Sequence, residues 1–201
     1  MIQYAPGNLF VVFGILMTLP LLQADTMSEK VGNVIPTPDD ASASEIDHAH
    51  MSRAYEISAS AVDQGNHPFG ALLVKDGVVL IEHENAVETT PDITEHAETG
   101  LVRAASRMLP PETIKGSTLY TSTEPCIMCC GAIYWVGIER IVYGVSAEHL
   151  VEVIGGEFKG FTSREVFGRM APNVTITGPL DERRGLEQHA AFWPEFLKKN
   201  R

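Results

Sequence analysis

Glu124-Pro125-Cys126-Ile127-Met128-Cys129-Cys130 (EPCIMCC, residues 124–130) holds every cysteine in the chain. No distant thiol exists to pair with them, so a disulfide framework has no support. A redox pair, half a structural zinc knuckle and half a catalytic metal site all remain open. Cys126 and Cys129 are three residues apart and would share one helix face. Pro125 suits a first turn and Gly137 an end, so PCIMCCGAIYWVG (125–137) is expected to be a helix. In the first turn the helix dipole and free N–H groups favour thiolate, the form that binds zinc. Cys130 projects about 100° away and reads as a free thiol, in the core or near the surface.

What completes the motif lies thirty residues upstream, in EHAE (95–98). This tetrapeptide sits near the start of a second expected helix, ITEHAETGLVRAASRML (93–109), stopped by Pro110-Pro111. If both helices leave the sheet in the same sense, their N-termini meet and His96, Cys126 and Cys129 become three ligands. Three protein ligands leave the fourth position to water, the arrangement of catalytic rather than structural zinc. Glu98, two residues from a ligand, would reach that water without binding the metal. It is the expected general acid/base, moving a proton from water to a ring nitrogen and then to a leaving amine. H-x-E…P-C-x-x-C is the pattern of zinc nucleobase and nucleoside deaminases, and each specified position is met here. A redox pair would leave His96 and Glu98 unexplained. A knuckle would need a fourth Cys or His at knuckle spacing, and none follows. The other histidines, including His67 and His189, have no partner spacing and read as structural or exposed.

Around these helices the chain alternates. Ile46, His50, Ala54, Ile57 and Ala61 recur at three-to-four spacing, giving a helix that ends at Gly65. FGALLVKDGVVLIEHEN (69–85) is a hairpin around Lys75-Asp76-Gly77. Strands follow at 117–123, 140–146 and 173–179, then a final helix over 181–199 interrupted by Pro194. Helix, hairpin, then helix–strand–helix–strand predicts a three-layer α/β domain over residues 46–201. Ahead of it, residues 1–24 carry no charge, and Leu9–Leu22 is an apolar run. The run is short for a membrane span; it reads as a signal-peptide core, or as sequence upstream of a true start at Met27. Residues 28–45 read as a flexible leader, and the enzyme is expected in the cytoplasm rather than at a membrane.

The net charge is −11, and residues 1–100 hold 3 of the 15 Lys+Arg but 15 of the 26 Asp+Glu. Neither half offers a basic excess to neutralise phosphates, which disfavours nucleic acid as the main partner and favours a small neutral ligand.

HPFGALLVKDG (67–77), HEN (83–85), EHAE (95–98), LYTSTEPCIMCCGAIYW (119–135) and RIVYG (140–144) together resemble the cytidine-deaminase-like superfamily. The likeness spans about residues 46–196 and is strongest to the bacterial guanine deaminase branch, with cytosine and tRNA adenosine deaminases as relatives. CGAIYW, after the second cysteine, tilts the reading to guanine deaminases. The resemblance implies an α/β/α sandwich with a five-stranded mixed sheet, one catalytic Zn2+ per chain and a homodimer. It implies conversion of guanine and water to xanthine and ammonia. Asn85 matches the asparagine that hydrogen-bonds the base, Phe69 would line the pocket, and Glu157 is the candidate acid that reads the guanine edge. The tail from His189 to Asn200 would be either a lid, with Phe192 and Trp193 as apolar cover, or a helix packed on the sheet. Deamination of cytosine, a nucleoside or another amino-heterocycle, tRNA adenosine editing, and a non-catalytic zinc-fold module are the alternatives.

Overall fold

Three strands carry apolar side chains on both faces: β1 (Gly70–Lys75), β3 (Thr118–Thr123) and β4 (Arg140–Val145) are buried almost throughout. Such runs belong inside a sheet covered on both sides. The computed structural model describes residues 43–200; the expectations for the apolar run, a start at Met27 and the leader up to residue 42 lie outside the described residues, while Ala43–Glu45, expected as leader, already belong to a helix. With β2 (Val78–Glu84) and β5 (Thr175–Thr177) the strands form one five-stranded sheet in the order β2-β1-β3-β4-β5. β1 is antiparallel to β2 and β3, while β3, β4 and β5 run parallel. The mixed sheet is therefore as expected. Asp76 and Gly77 form the two-residue turn of the β1–β2 hairpin, with φ of 52° and 76°, the positive values such a turn needs.

Alternation along the strands sorts the core in two. Leu73, Leu119 and Ile141 face a layer made by α2 (Ala97–Met108), α3 (Pro111–Lys115), α4 (Ile127–Val136) and α6 (Ser163–Met170). Leu72, Tyr120 and Val142 face α1 (Ala43–Asp63), α5 (Ala147–Ile154) and α7 (Glu182–Lys199). Each fully buried Leu or Ile contributes about 1.5–3 kcal/mol relative to exposure. The three layers are those predicted.

Several elements differ from expectation. α2 starts at Ala97 rather than near Ile93, because Asp92 accepts from Thr94 N and Oγ1 and holds 92–94 in a turn. Pro110-Pro111 ends α2 but also opens α3, with Pro111 in the first turn where its missing N–H costs nothing. The stretch 146–170 holds α5 and α6, which the periodicity reading passed over. Their signals were present: Ser146 and Gly155 bracket α5, and Thr162 with Glu165 forms a capping box on α6. The tail is a helix packed on the sheet. α7 runs through Pro194 and buries Gly185, His189 and Trp193. A Cβ at Gly185 would lie 2.3 Å from Val145 Cγ2, so a side chain there would push the helix off. Among the described residues no helix is long and apolar enough to cross a membrane.

Strand direction positions the site. β2 and β3 are both antiparallel to β1, so they are parallel to each other, and β3 is parallel to β4. The connections β2–α2–β3 and β3–α4–β4 are thus both crossovers, and α2 and α4 both start beyond the carboxyl ends of strands. Ligand sites in open α/β sheets collect at that edge.

Candidate active site

His96 is the N-cap of α2 and Cys126 the N-cap of α4, and neither side chain caps its helix. Ser, Thr, Asp or Asn normally holds that position and accepts a backbone N–H. Here the two caps turn toward each other. Cys126 Sγ lies 3.8 Å from His96 Nδ1, Cys129 Sγ lies 3.6 Å from it, and the sulfurs are 3.5 Å apart. Tetrahedral zinc, with Zn–S near 2.3 Å and Zn–N near 2.0–2.1 Å, requires about 3.8 Å between sulfurs and about 3.6 Å from sulfur to nitrogen. The three donors fit that ion. They are graded in exposure, from buried Cys129 through half-buried His96 to exposed Cys126, so the open side faces solvent. The three ligands expected from sequence are thus one cluster.

Electrostatics agree with the donor set. A hydrogen bond from Cys129, aided by His96, pulls the Cys126 thiol down to about 4. Cys129, the donor in that bond and the more buried of the two, is pushed up. His96 is raised by its bond with Cys126. A cation among the three would take the place of the shared proton. Cys130 is fully buried, with Sγ 3.3 Å from Pro125 O, and burial pushes it up to about 12. It is the core thiol expected.

Glu98 lies in the first turn of α2, 6% exposed, with Oε2 3.5 Å from Cys129 Sγ. Its Oε1 accepts from Thr121 Oγ1 at 3.0 Å. Burial raises its carboxyl above the usual range. A carboxyl buried beside the ligands, with one oxygen on their side, suits proton transfer there.

Asn85 and Phe69 are coupled: Asn85 N–H donates to Phe69 O at 3.0 Å. Asn85 is buried just past β2, its Oδ1 accepting from Val87 N. Ala86 N–H donates to Glu95 O, which ties this segment beside His96. The Phe69 ring is 5.3 Å from that of His189 and 6.2 Å from that of Trp193, forming an aromatic wall. Phe192 packs with Trp193 and Phe196 around His67. Glu157 is exposed in the loop between α5 and α6 and pairs with Lys159 at 3.1 Å.

Two features of the site were missed in the sequence. Glu124, read only as the residue before Pro125, is buried and accepts from Ser163 N and Oγ and from Ala147 N. One carboxylate thus holds the first residues of α5 and α6 against the start of the cysteine helix. His189, read as structural or exposed, stands in the wall with Nε2 3.0 Å from Thr123 Oγ1 and Nδ1 accepting from Trp193 Nε1 at 3.1 Å. Neither feature has a local sequence signal, because each joins residues far apart in the chain.

The model of the cytidine and deoxycytidylate deaminase zinc-binding region matches residues 44–145. The probable cytosine deaminase of Schizosaccharomyces pombe is 37% identical over 157 residues, covering 75% of this chain and 94% of that protein. The guanine deaminase of Bacillus subtilis is 38% identical over 117 residues, covering 58% of this chain and 74% of that one. The solved guanine deaminase of Nitrosomonas europaea shares the fold, with a TM-score of 0.65 at 21% identity over 94% of this chain and all of that one. The matched span takes in both halves of the metal cluster and the carboxylate between them, and the chain belongs to the cytidine and deoxycytidylate deaminase zinc-binding family, as a zinc-dependent hydrolytic deaminase.

Proposed function

We propose that the protein hydrolyses the exocyclic amino group of a free nucleobase, guanine first, giving xanthine and ammonia. The observation that carries the reading is buried Glu98, with one oxygen on the side of His96, Cys126 and Cys129 and the other held by Thr121. Zinc bound by those three residues supplies Lewis acidity and lowers the pKa of water. Glu98 takes the two protons of the attacking water in turn, passing the first to the ring nitrogen and the second to the departing amine. Asn85 supplies a donor and an acceptor for the base edge, and half-buried Phe69, backed by buried His189 and Trp193, offers a face for a flat ring.

Guanine is favoured by the 38% identity to the Bacillus enzyme. Cytosine is the second reading, favoured by a likeness that spans 94% of the Schizosaccharomyces protein. A tRNA substrate is disfavoured at the site itself. The loop 85–95 beside His96 carries Glu88, Asp92 and Glu95 and no Lys or Arg. The proposal includes a homodimer, supported by Ile127, Tyr134 and Trp135, an apolar stripe on the outer side of α4 that is 61%, 38% and 84% exposed.

Ammonia release from guanine, cytosine, guanosine and adenosine by the zinc-loaded protein tests the reaction. Glu98→Ala should keep its zinc and lose at least about 10³-fold in kcat. Turnover of cytosine alone would transfer the assignment to that base. A Glu98→Ala protein with unchanged turnover would overturn the mechanism.

A further inference from the structure

The two oxygens of Glu98 keep different company. Oε2 is on the side of Cys129 Sγ, and Oε1 is 3.0 Å from Thr121 Oγ1 on β3. Thr121 is 1% exposed, and its hydroxyl has a second neighbour, the carbonyl oxygen of Thr123 at 3.1 Å. A hydroxyl has one proton to give and lone pairs to receive. Thr121 donates that proton to Oε1, which engages Oε1 as an acceptor and leaves Oε2 on the side of the ligands. The terminal carboxyl torsion is broad and two-fold, so without this contact either oxygen could face the ligands.

We infer that Thr121 is a positioning residue for the deamination: it pins Oε1 and leaves Oε2 as the oxygen that exchanges protons with the reacting atoms. This rests on Glu98 being the acid/base of the reaction proposed above. The strand end that supplies the second neighbour is itself held, since Thr123 Oγ1 pairs with His189 Nε2, and His189 with Trp193.

Thr121→Val removes the hydroxyl at nearly constant shape, and Thr121→Ser keeps it. Thr121→Ala serves as the hydroxyl-free variant if Val does not fold. Two readouts are taken on the zinc-loaded proteins. One is kcat and KM on whichever base the wild type turns over. The other is the infrared carboxyl bands of Glu98, isolated by subtracting the spectrum of Glu98→Gln, with no substrate present. Loss of a hydrogen bond to a charged group should lower kcat about 10- to 100-fold and leave KM within about twofold. The Glu98 bands should shift, zinc content should hold, and Ser should restore both readouts. Unshifted bands or wild-type kcat in Thr121→Val would overturn the inference. So would a Ser variant as impaired as Val, because the methyl packing and not the hydroxyl would then matter. If the wild type turns over no base, the proposed reaction fails, and the infrared bands alone still decide the Thr121–Glu98 contact.

Discussion

His189 has its Nδ1 committed as an acceptor to Trp193 Nε1–H, so its own proton sits on Nε2 and points to Thr123 Oγ1. A second proton would set two donors against each other in a buried site, and burial lowers its pKa to about 4. The unfolded chain takes that proton near pH 6.5, before the folded one does. Stability is therefore lost as pH falls from about 6.5 to about 4, by about 3 kcal/mol in all. Urea unfolding at pH 7 and pH 5 should show a steeper acid loss in the wild type than in His189→Gln; comparing the two cancels proton-linked zinc release. Equal slopes would refute the assignment. The ligands and Glu98 were legible at this scale because metal chemistry restricts residue type and H-x-E and C-x-x-C are short. Thr121 and Glu98 are 23 residues apart, and Thr123 and His189 are 66 apart, so only folding pairs them.

Among the elements, Glu124 does for α5 and α6 what an N-cap does for one helix. Both helix starts present backbone N–H groups that need an acceptor. Glu124→Gln keeps one carbonyl oxygen and replaces the other with an NH2 group, so one helix loses its partner. The expected cost is about 1–3 kcal/mol, read from urea midpoints, together with faster proteolysis within 147–170. An unchanged midpoint would mean that water substitutes freely for the carboxylate. The strands and the helices expected at 46–65, 93–109 and 125–137 were legible from period and from Gly and Pro punctuation, to within a turn at their ends. α5 and α6 are only eight residues each, too short for a period to stand out. Their caps were the better signal.

Across the whole molecule, a metal at the junction of α2 and α4 links two crossover units. A ligand bound only to the folded state at about 1,000 times its Kd contributes about 4 kcal/mol. Chelation should therefore lower Tm by roughly 10 °C, by calorimetry, in a protein of this size. An unmoved Tm would place the metal elsewhere. The proposed dimer predicts that Trp135→Glu sediments as a monomer where the wild type is a dimer, with no loss of fold, since Trp135 is 84% exposed. A wild-type monomer, or a dimer that survives the substitution, would reject the α4 face. The sequence by itself determined the reaction class, the ligand set and the layered α/β architecture. These depend on residue chemistry and on periods of two and 3.6, which act over a few neighbours. The tertiary structure decided that His96 and Cys126 are N-caps turned on each other, that Glu124 clamps two helices, and that α7 packs as a helix with its aromatic face beside Phe69. Each of these is a contact between distant segments, set by strand order and crossover direction rather than by the residues next in line.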